Sequence, residues 1–237
     1  MIKDNQTRFN RLHVLLDALV IAAAYILSWF IFLKIGMFGK AGILPTWFYM
    51  SALVIIVPVY LLLYTFFKLF TPKRVQGRRL EFANIFKANL IGLFLFGTIL
   101  YLGRENPYLH HFSARLVGGF FLINIAAETL ERYLIRNMLR SIRSKGYNQK
   151  HVLLVGYSRA AEGYIDRVLS NPEWGYQIRG ILDDHQPAGY AYKGVEVLGP
   201  IANLEVFLAS NTLDEIAITL SIKEYMNLEE IVAACEK

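Results

Sequence analysis

The residues best suited to chemistry lie in one short segment, HVLLVGYSRAAEGY, which spans residues 151 to 164. An apolar strand there runs into a glycine turn and then into a helix, which is the local pattern of a nucleotide-binding unit. The N-terminus of such a helix offers unpaired backbone N–H groups and partial positive charge, and both favour a phosphate. We therefore expect Gly156, Ser158 and Arg159 to contact the phosphate of a bound nucleotide or nucleotide sugar.

The turn departs from the dinucleotide fingerprint G-x-G-x-x-G/A, because its three key positions are Gly156, Ser158 and Ala161. The Cβ of Ser158 hinders close approach of a pyrophosphate, while its hydroxyl has the chemistry to cap the helix or to contact a phosphate oxygen. Arg159 has two open interpretations, a phosphate contact or a solvated side chain. The segment thus argues against tight dinucleotide binding and leaves phosphate binding open.

Two acidic residues, Asp183 and Asp184, follow the next predicted strand, where an acid contacts a ribose hydroxyl in nucleotide-binding units. We assign this contact to Asp183, and a solvated turn with His185 is the alternative. The sequence DDH has no partner cluster of metal ligands, so no metal site is predicted. Residues 151–237 contain no Tyr-x-x-x-Lys spacing and no nucleophile with a base, so no catalytic residue is predicted either.

The elements that must position this turn alternate between strand and helix. The strand patterns are HVLLVG, YQIRGILDD, GVEVLG and DEIAITL, and the helix patterns are RAAEGYIDRVLSN, IANLEVFLASN and NLEEIVAACEK. Such alternation predicts an α/β domain with a parallel sheet covered by helices, a Rossmann-like arrangement, over residues 146–237. Since the chain stops directly after a helix, we expect this domain to be incomplete at its C-terminus.

The first part of the chain has a different composition. Residues 1–150 contain 19 Lys and Arg against 6 Asp and Glu, whereas residues 151–237 contain 6 against 13. The positive charge lies beside long apolar segments, which indicates a membrane domain and argues against nucleic-acid binding. A single cysteine, Cys235, excludes an internal disulfide and is consistent with a cytosolic second half.

Four apolar segments predict an α-helical membrane domain with four transmembrane helices over residues 1–145. They are residues 14–33, 47–67, 85–102 and 112–135. Each is near the roughly 20 residues that a helix needs to cross a bilayer. Fourteen Lys and Arg residues flank one side of these segments and four flank the other, which predicts that both termini are cytoplasmic.

The last apolar segment is expected to continue as a basic cytoplasmic stem. Arg136, Arg140 and Arg143 recur on one helical face, where they can lie against anionic lipid, and Gly146 is a helix-ending signal.

Polar residues within the apolar segments have two interpretations. Glu128 and Glu131 are site candidates because ionisable groups in a membrane segment are costly. The alternative, which we favour, is an interfacial ion pair between Glu128 and Arg132 at i, i+4. Gly118 and Gly119 offer room for a neighbouring helix, although the sequence does not say which one.

Several segments resemble the N-terminal region of bacterial polyprenyl-phosphate sugar-1-phosphate transferases of the undecaprenyl-phosphate glucose phosphotransferase type. They include TPKRVQGRRLEFANIFKANLIG, GYSRAAEGY, NPEWGYQIRGILDD and IVAACEK, and the resemblance extends over nearly the whole chain. It implies four transmembrane helices followed by a CoA-binding-like Rossmann domain in the bacterial inner membrane. It also places the catalytic domain, with its magnesium site, after this chain, so that no catalytic residue carries over.

The resemblance implies a membrane anchor with an accessory or regulatory nucleotide-binding-like domain. The parent enzyme would transfer a sugar 1-phosphate from a nucleotide sugar to undecaprenyl phosphate in capsule or exopolysaccharide synthesis. The implied partners are the lipid bilayer, the polyprenyl phosphate, the nucleotide sugar and a second copy of the chain. Two alternatives stay open: the N-terminal region of a membrane-bound nucleotide-sugar dehydratase or epimerase, and a non-catalytic ligand-sensing scaffold.

Overall fold

The computed structural model describes residues 6–36, 44–71, 77–209 and 213–220. The predicted helix at residues 227–237, and with it Cys235, lies outside the described residues. The chain divides into two compact units, Met1–Arg136 and Asn137–Lys237. A domain boundary at residues 145 and 146 stays a prediction.

Five α-helices belong wholly or in part to the first unit. Their bounds are Gln6–Trp29 (α1), Thr46–Ser51 (α2), Leu53–Phe66 (α3), Arg78–Leu102 (α4) and Ala114–Ser144 (α5). A π-helical segment, Phe30–Lys34, directly extends α1. Local residues set several of these ends: Pro45 precedes α2, and Gly77 and Gly103 flank α4. The predicted stop of α5 at Gly146 is confirmed, since Gly146 has φ +86° and donates its N–H to the Arg143 carbonyl.

Three helical segments are long and apolar enough to cross a membrane, among the residues that the structure describes. They are Arg11–Lys34, Thr46–Phe66 and Arg78–Leu102. At 1.5 Å per residue, a 24-residue span reaches about 36 Å. Helix α5, which contains all but the first two residues of the fourth predicted span, is 31 residues long but has several charged residues in that span. The structure therefore supports three apolar helices, and a count of four is not supported.

Aromatic side chains form the core of the helical unit. Tyr25, Tyr60 and Phe120 are buried together, and the Tyr60 and Phe120 rings meet edge to face at 5.2 Å. A close helix contact lies beside them: a Cβ on Gly119 would be 2.1 Å from the Phe32 ring, whereas one on Gly118 would meet nothing within 4 Å. Gly119 is therefore the glycine at which a neighbouring helical segment approaches α5.

The second unit contains a five-stranded sheet in the order β3-β4-β2-β1-β5. The strands are Lys150–Val155 (β1), Tyr176–Leu182 (β2), Ala191–Tyr192 (β3), Val195–Gly199 (β4) and Glu215–Ile218 (β5), and the helices are Arg159–Ser170 (α6) and Leu204–Ala209 (α7). Four strands are parallel, with β1 between β2 and β5, and β4 on the far side of β2. This order is that of the first half of a doubly wound fold, and the strand order reverses between β1 and β5.

The predicted parallel sheet is present except at one edge, where β3 pairs antiparallel with β4. Lys193 and Gly194 join the two strands, and both have positive φ, +49° and +84°. Two such residues form the tight turn that a two-residue hairpin requires. The sheet is therefore mixed and mostly parallel.

Both faces of β1 are buried, because its side chains alternate between two cores. Val152 and Leu154 pack with Ala161 and Ile165 of α6 on one face. Leu153 and Val155 pack on the other face in the core that contains Leu204, the first residue of α7. Burial on both faces explains why β1 is a continuous apolar run.

Candidate nucleotide site at the sheet edge

The strand, glycine turn and helix predicted at residues 151–164 are present as β1, Gly156 and α6. Gly156 has φ +91° and donates its N–H to the Leu182 carbonyl at 2.8 Å. Ser158 is the N-cap of α6, and its hydroxyl oxygen accepts the Ala160 N–H at 3.1 Å. The turn thus lies at the carboxyl end of β1, and doubly wound sheets bind ligands at the carboxyl ends of their strands.

The side of the turn that faces β5 is covered by the chain itself. A Cβ on Gly156 would lie 2.8 Å from Leu220 Cα, so this glycine is needed for the close approach of Leu220 as well as for its positive φ. The Ser158 hydroxyl donates to the Thr219 carbonyl, and the Thr219 hydroxyl donates to the Gly156 carbonyl, each at 2.6 Å. A ligand placed across β1 and β5 would have to displace these contacts.

Asp183 binds backbone groups rather than standing open to a ligand. One carboxylate oxygen accepts the Tyr157 N–H at 2.8 Å, and the other accepts the N–H groups of His185 and Gln186 at 2.9 and 2.7 Å. Only 3% of this residue is exposed. Asp183 therefore ties the loop after β2 to the turn after β1, and its predicted ribose contact stays a prediction. Its neighbour Asp184 accepts the Ile201 N–H at 2.8 Å.

Arg159 is the predicted contact that stands open to a ligand. It is the first residue of α6 and is exposed. Among the described residues, its guanidinium has no hydrogen-bond or ion-pair partner. A cation at the first position of a helix adds to the positive helix end, and together they suit a phosphate.

Two tyrosines beside the turn were missed by the sequence reasoning. The rings of Tyr157 and Tyr190 meet edge to face at 5.2 Å, and their hydroxyl oxygens are 3.3 Å apart. The Tyr157 hydroxyl donates to Glu162 at 2.7 Å, and burial together with this hydrogen bond raises the pKa of Tyr157. Tyr190 is 40% exposed and offers an apolar ring with a polar tip. No sequence period marks this pair, because the two residues are 33 positions apart.

The ion pair predicted within α5 does not form. Arg132 instead binds Asp17 of α1, and its Nε is 3.4 Å from a Glu131 oxygen. Glu128 is fully buried, and both of its oxygens lack a hydrogen-bond partner among the described residues. The predicted ion pair therefore does not account for these residues, and Glu128 and Glu131 stay candidates for a functional site.

A family model described as a CoA-binding domain matches residues 65–237 of the chain. The match covers 173 of the 237 residues and includes α4 and α5 as well as the α/β unit. No curated protein matches the chain.

Proposed function

Because this chain belongs to the CoA-binding domain family, we propose that its α/β unit binds the nucleotide part of a phosphate-containing ligand. We propose further that the chain is the membrane anchor and accessory domain of a sugar-phosphate transferase. Domains of this family are found in sugar-phosphate transferase-like proteins. The observation that carries the binding proposal is the turn from Gly156 into α6 at the carboxyl end of β1.

The ligand lies on the β2 side of the turn in this proposal. Its phosphate is held by Arg159 and the N-terminus of α6, and its base packs on the exposed ring of Tyr190. Leu220 and Thr219 cover the β5 side, so the site suits one nucleotide moiety better than a dinucleotide. The ADP part of CoA and the nucleoside diphosphate of a nucleotide sugar both have this form.

Calorimetric titration of the whole chain in detergent micelles tests this site, with ADP, CoA and UDP-glucose as separate probes. We expect Arg159→Ala to weaken binding about 10- to 100-fold, since a hydrogen bond to a charged group contributes about 1.5–3 kcal/mol. Arg167→Ala is the matched control, because Arg167 is an exposed arginine near the other end of the same helix. No binding of any probe at millimolar concentration, or equal losses in the two variants, would exclude the site.

We also propose that the N-terminal part of α5 is a fourth membrane crossing and that both termini are cytoplasmic. Three of its charged residues, Glu128, Glu131 and Arg132, are buried within the structure, and the exposed Arg115 lies at the start of the helix. Charged groups that face a bundle interior are compatible with a membrane span.

Cysteine labelling in a Cys235→Ser background tests this topology. A membrane-impermeant maleimide should label Glu105→Cys, in the loop before α5, in intact cells. Ser170→Cys in the α/β unit should be labelled only after the cells are opened. The same labelling pattern at both positions would exclude a fourth crossing.

The transferase role is tested in membranes from cells with and without this chain. Loss of the chain should reduce the transfer of labelled sugar phosphate from a nucleotide sugar to polyprenyl phosphate, and the wild-type chain should restore it. Unchanged transfer, with loss of nucleotide-sugar dehydration or epimerisation, would favour the alternative parent enzyme.

A ligand-free scaffold is the second candidate, and one observation favours it. The Tyr157 and Ala160 N–H groups, which a phosphate would use, are already bound by Asp183 and Ser158. The calorimetric titration separates the two functions, because a scaffold of this kind would bind none of the three probes.

A further inference from the structure

Helices α1 and α5 bring three buried carboxylates together. Asp17 and Glu128 are fully buried, and Glu131 is 8% exposed. Arg132 contacts Asp17, Glu131 and His13, while Arg136 nearby pairs with Glu81. Ionised, the three acids and Arg132 carry a net charge of −2, which a buried site does not tolerate without a counter-charge.

The unsatisfied atoms of this cluster are almost all oxygen acceptors. Five carboxylate oxygens and one amide oxygen lack a hydrogen-bond donor among the described residues: Asp17 Oδ1, both Oε atoms of Glu128 and of Glu131, and Asn124 Oδ1. The Asn124 amide nitrogen is already used, because it donates to the Tyr64 hydroxyl and to Asn89 Oδ1 at 2.9 and 2.8 Å. A set of buried acceptors with few donors has the chemistry of a cation site.

The spacing of the side chains suits a metal ion. One ligand atom from each of His13, Asp17 and Glu131 lies within 4.8 Å of the other two. Two ligands on opposite sides of one ion are about 4.0–4.4 Å apart, given bond lengths of about 2.0–2.2 Å. Three ligands spread evenly around one ion are closer, about 3.3–3.6 Å apart, so the three groups need to close by up to about 1.5 Å.

We propose that this cluster binds one divalent cation through His13, Asp17 and Glu131. Glu128 completes the charge balance: three carboxylates, one arginine and one divalent ion sum to zero. An imidazole with carboxylates is a ligand set that Mn²⁺ and Zn²⁺ accept. This site is independent of the nucleotide site, since every residue in it belongs to the helical unit.

A groove on the helical unit borders the cluster at Arg132. It is lined by Glu81, Thr129 and Arg132, among others. Arg132 itself contacts Asp17, so the groove and the cluster share this arginine, and in this proposal an ion enters beside it. A metal site needs such an entry path.

Titration with Mn²⁺ alone tests the site, using the whole chain in phosphatidylcholine nanodiscs after chelation of bound metal. Free Mn²⁺ is followed by electron paramagnetic resonance. We expect one Mn²⁺ per chain, at least tenfold weaker binding in Glu131→Gln, and weaker binding in Glu128→Gln. Glu105→Gln, which changes an exposed acid outside the cluster, is the matched control and should bind as the wild type does.

Thermal unfolding of the same proteins separates cation binding from protonation of the acids. Without metal, Glu128→Gln should be at least as stable as the wild type, because it removes an unbalanced buried charge. With Mn²⁺, the melting temperature of the wild type should rise, and that of Glu128→Gln should rise less. Failure of the wild type to bind Mn²⁺ saturably, or equal Mn²⁺ responses in the wild type and both cluster variants, would overturn the proposal.

Discussion

Replacing Gly156 with alanine tests the close contact between the nucleotide turn and the segment after β5. Gly156 has φ +91°, and an alanine in this region costs about 1–2 kcal/mol. Its Cβ would also lie 2.8 Å from Leu220 Cα, a backbone atom that must shift, and such overpacking costs about 1–3 kcal/mol. Alanine also reduces the conformational freedom of the unfolded chain, which offsets about 0.5 kcal/mol of this destabilisation. We expect a net loss of about 2–4 kcal/mol in the free energy of unfolding of the α/β unit.

The control is Gly189→Ala. Gly189 has nearly the same φ, +88°, but a Cβ there meets nothing within 4 Å, so only the backbone strain of about 1–2 kcal/mol applies. The assay is urea unfolding of the whole chain in detergent, followed by fluorescence. Trp29→Phe and Trp47→Phe leave Trp174 as the single reporter, and Trp174 lies in the α/β unit. Equal losses in the two glycine variants would refute the contact with Leu220.

Three further predictions concern packing, capping and pH. Gly119→Ala should destabilise the helical unit by about 1–3 kcal/mol and lower its melting temperature, because the new Cβ overlaps the Phe32 ring. Gly118→Ala should not lower the melting temperature. Ser158→Ala should cost the α/β unit about 1 kcal/mol or more in urea unfolding, since it removes the helix cap and the bond to Thr219. Burial, with smaller contributions from Tyr176 and Glu215, raises the pKa of Tyr164 to about 12, while an unfolded tyrosine loses its proton near pH 10. The folded state therefore holds more protons between these values, so stability should fall as the pH rises from 10 to 12, and Tyr164→Phe should reduce this fall in pH-dependent urea unfolding.

Local signals in the sequence were sufficient for the features that depend on neighbouring residues. The glycine turn, the Ser158 cap and the stop at Gly146 each involve residues a few positions apart, and each is present. The edge strand β3 was missed because two residues, Ala191 and Tyr192, are too few to show an alternating pattern.

Long-range contacts set the features that sequence reasoning missed or misassigned. The i, i+4 spacing predicts Glu128 as the partner of Arg132 because such spacing reveals only partners on the same helix. The ion-pair partner in the structure, Asp17, is 115 positions away. Leu220 approaches Gly156 across 64 positions, and no pattern within the turn marks that contact. Tertiary packing therefore determines which polar groups of each candidate site are used within the protein and which stand open to a ligand.

Ser158, which stands in place of the second glycine of the fingerprint, also helps to cover the β5 side of the turn. The Ser158 hydroxyl reaches the Thr219 carbonyl, and this bond helps to hold the end of β5 against the turn. A glycine at this position would lose that bond, but it would not clear the crevice, because Leu220 still lies over Gly156. The departure from the dinucleotide fingerprint is thus consistent with a turn that is closed on one side. The open groups are Arg159 and Tyr190, and these are the residues on which selectivity for a single nucleotide moiety depends in our proposal.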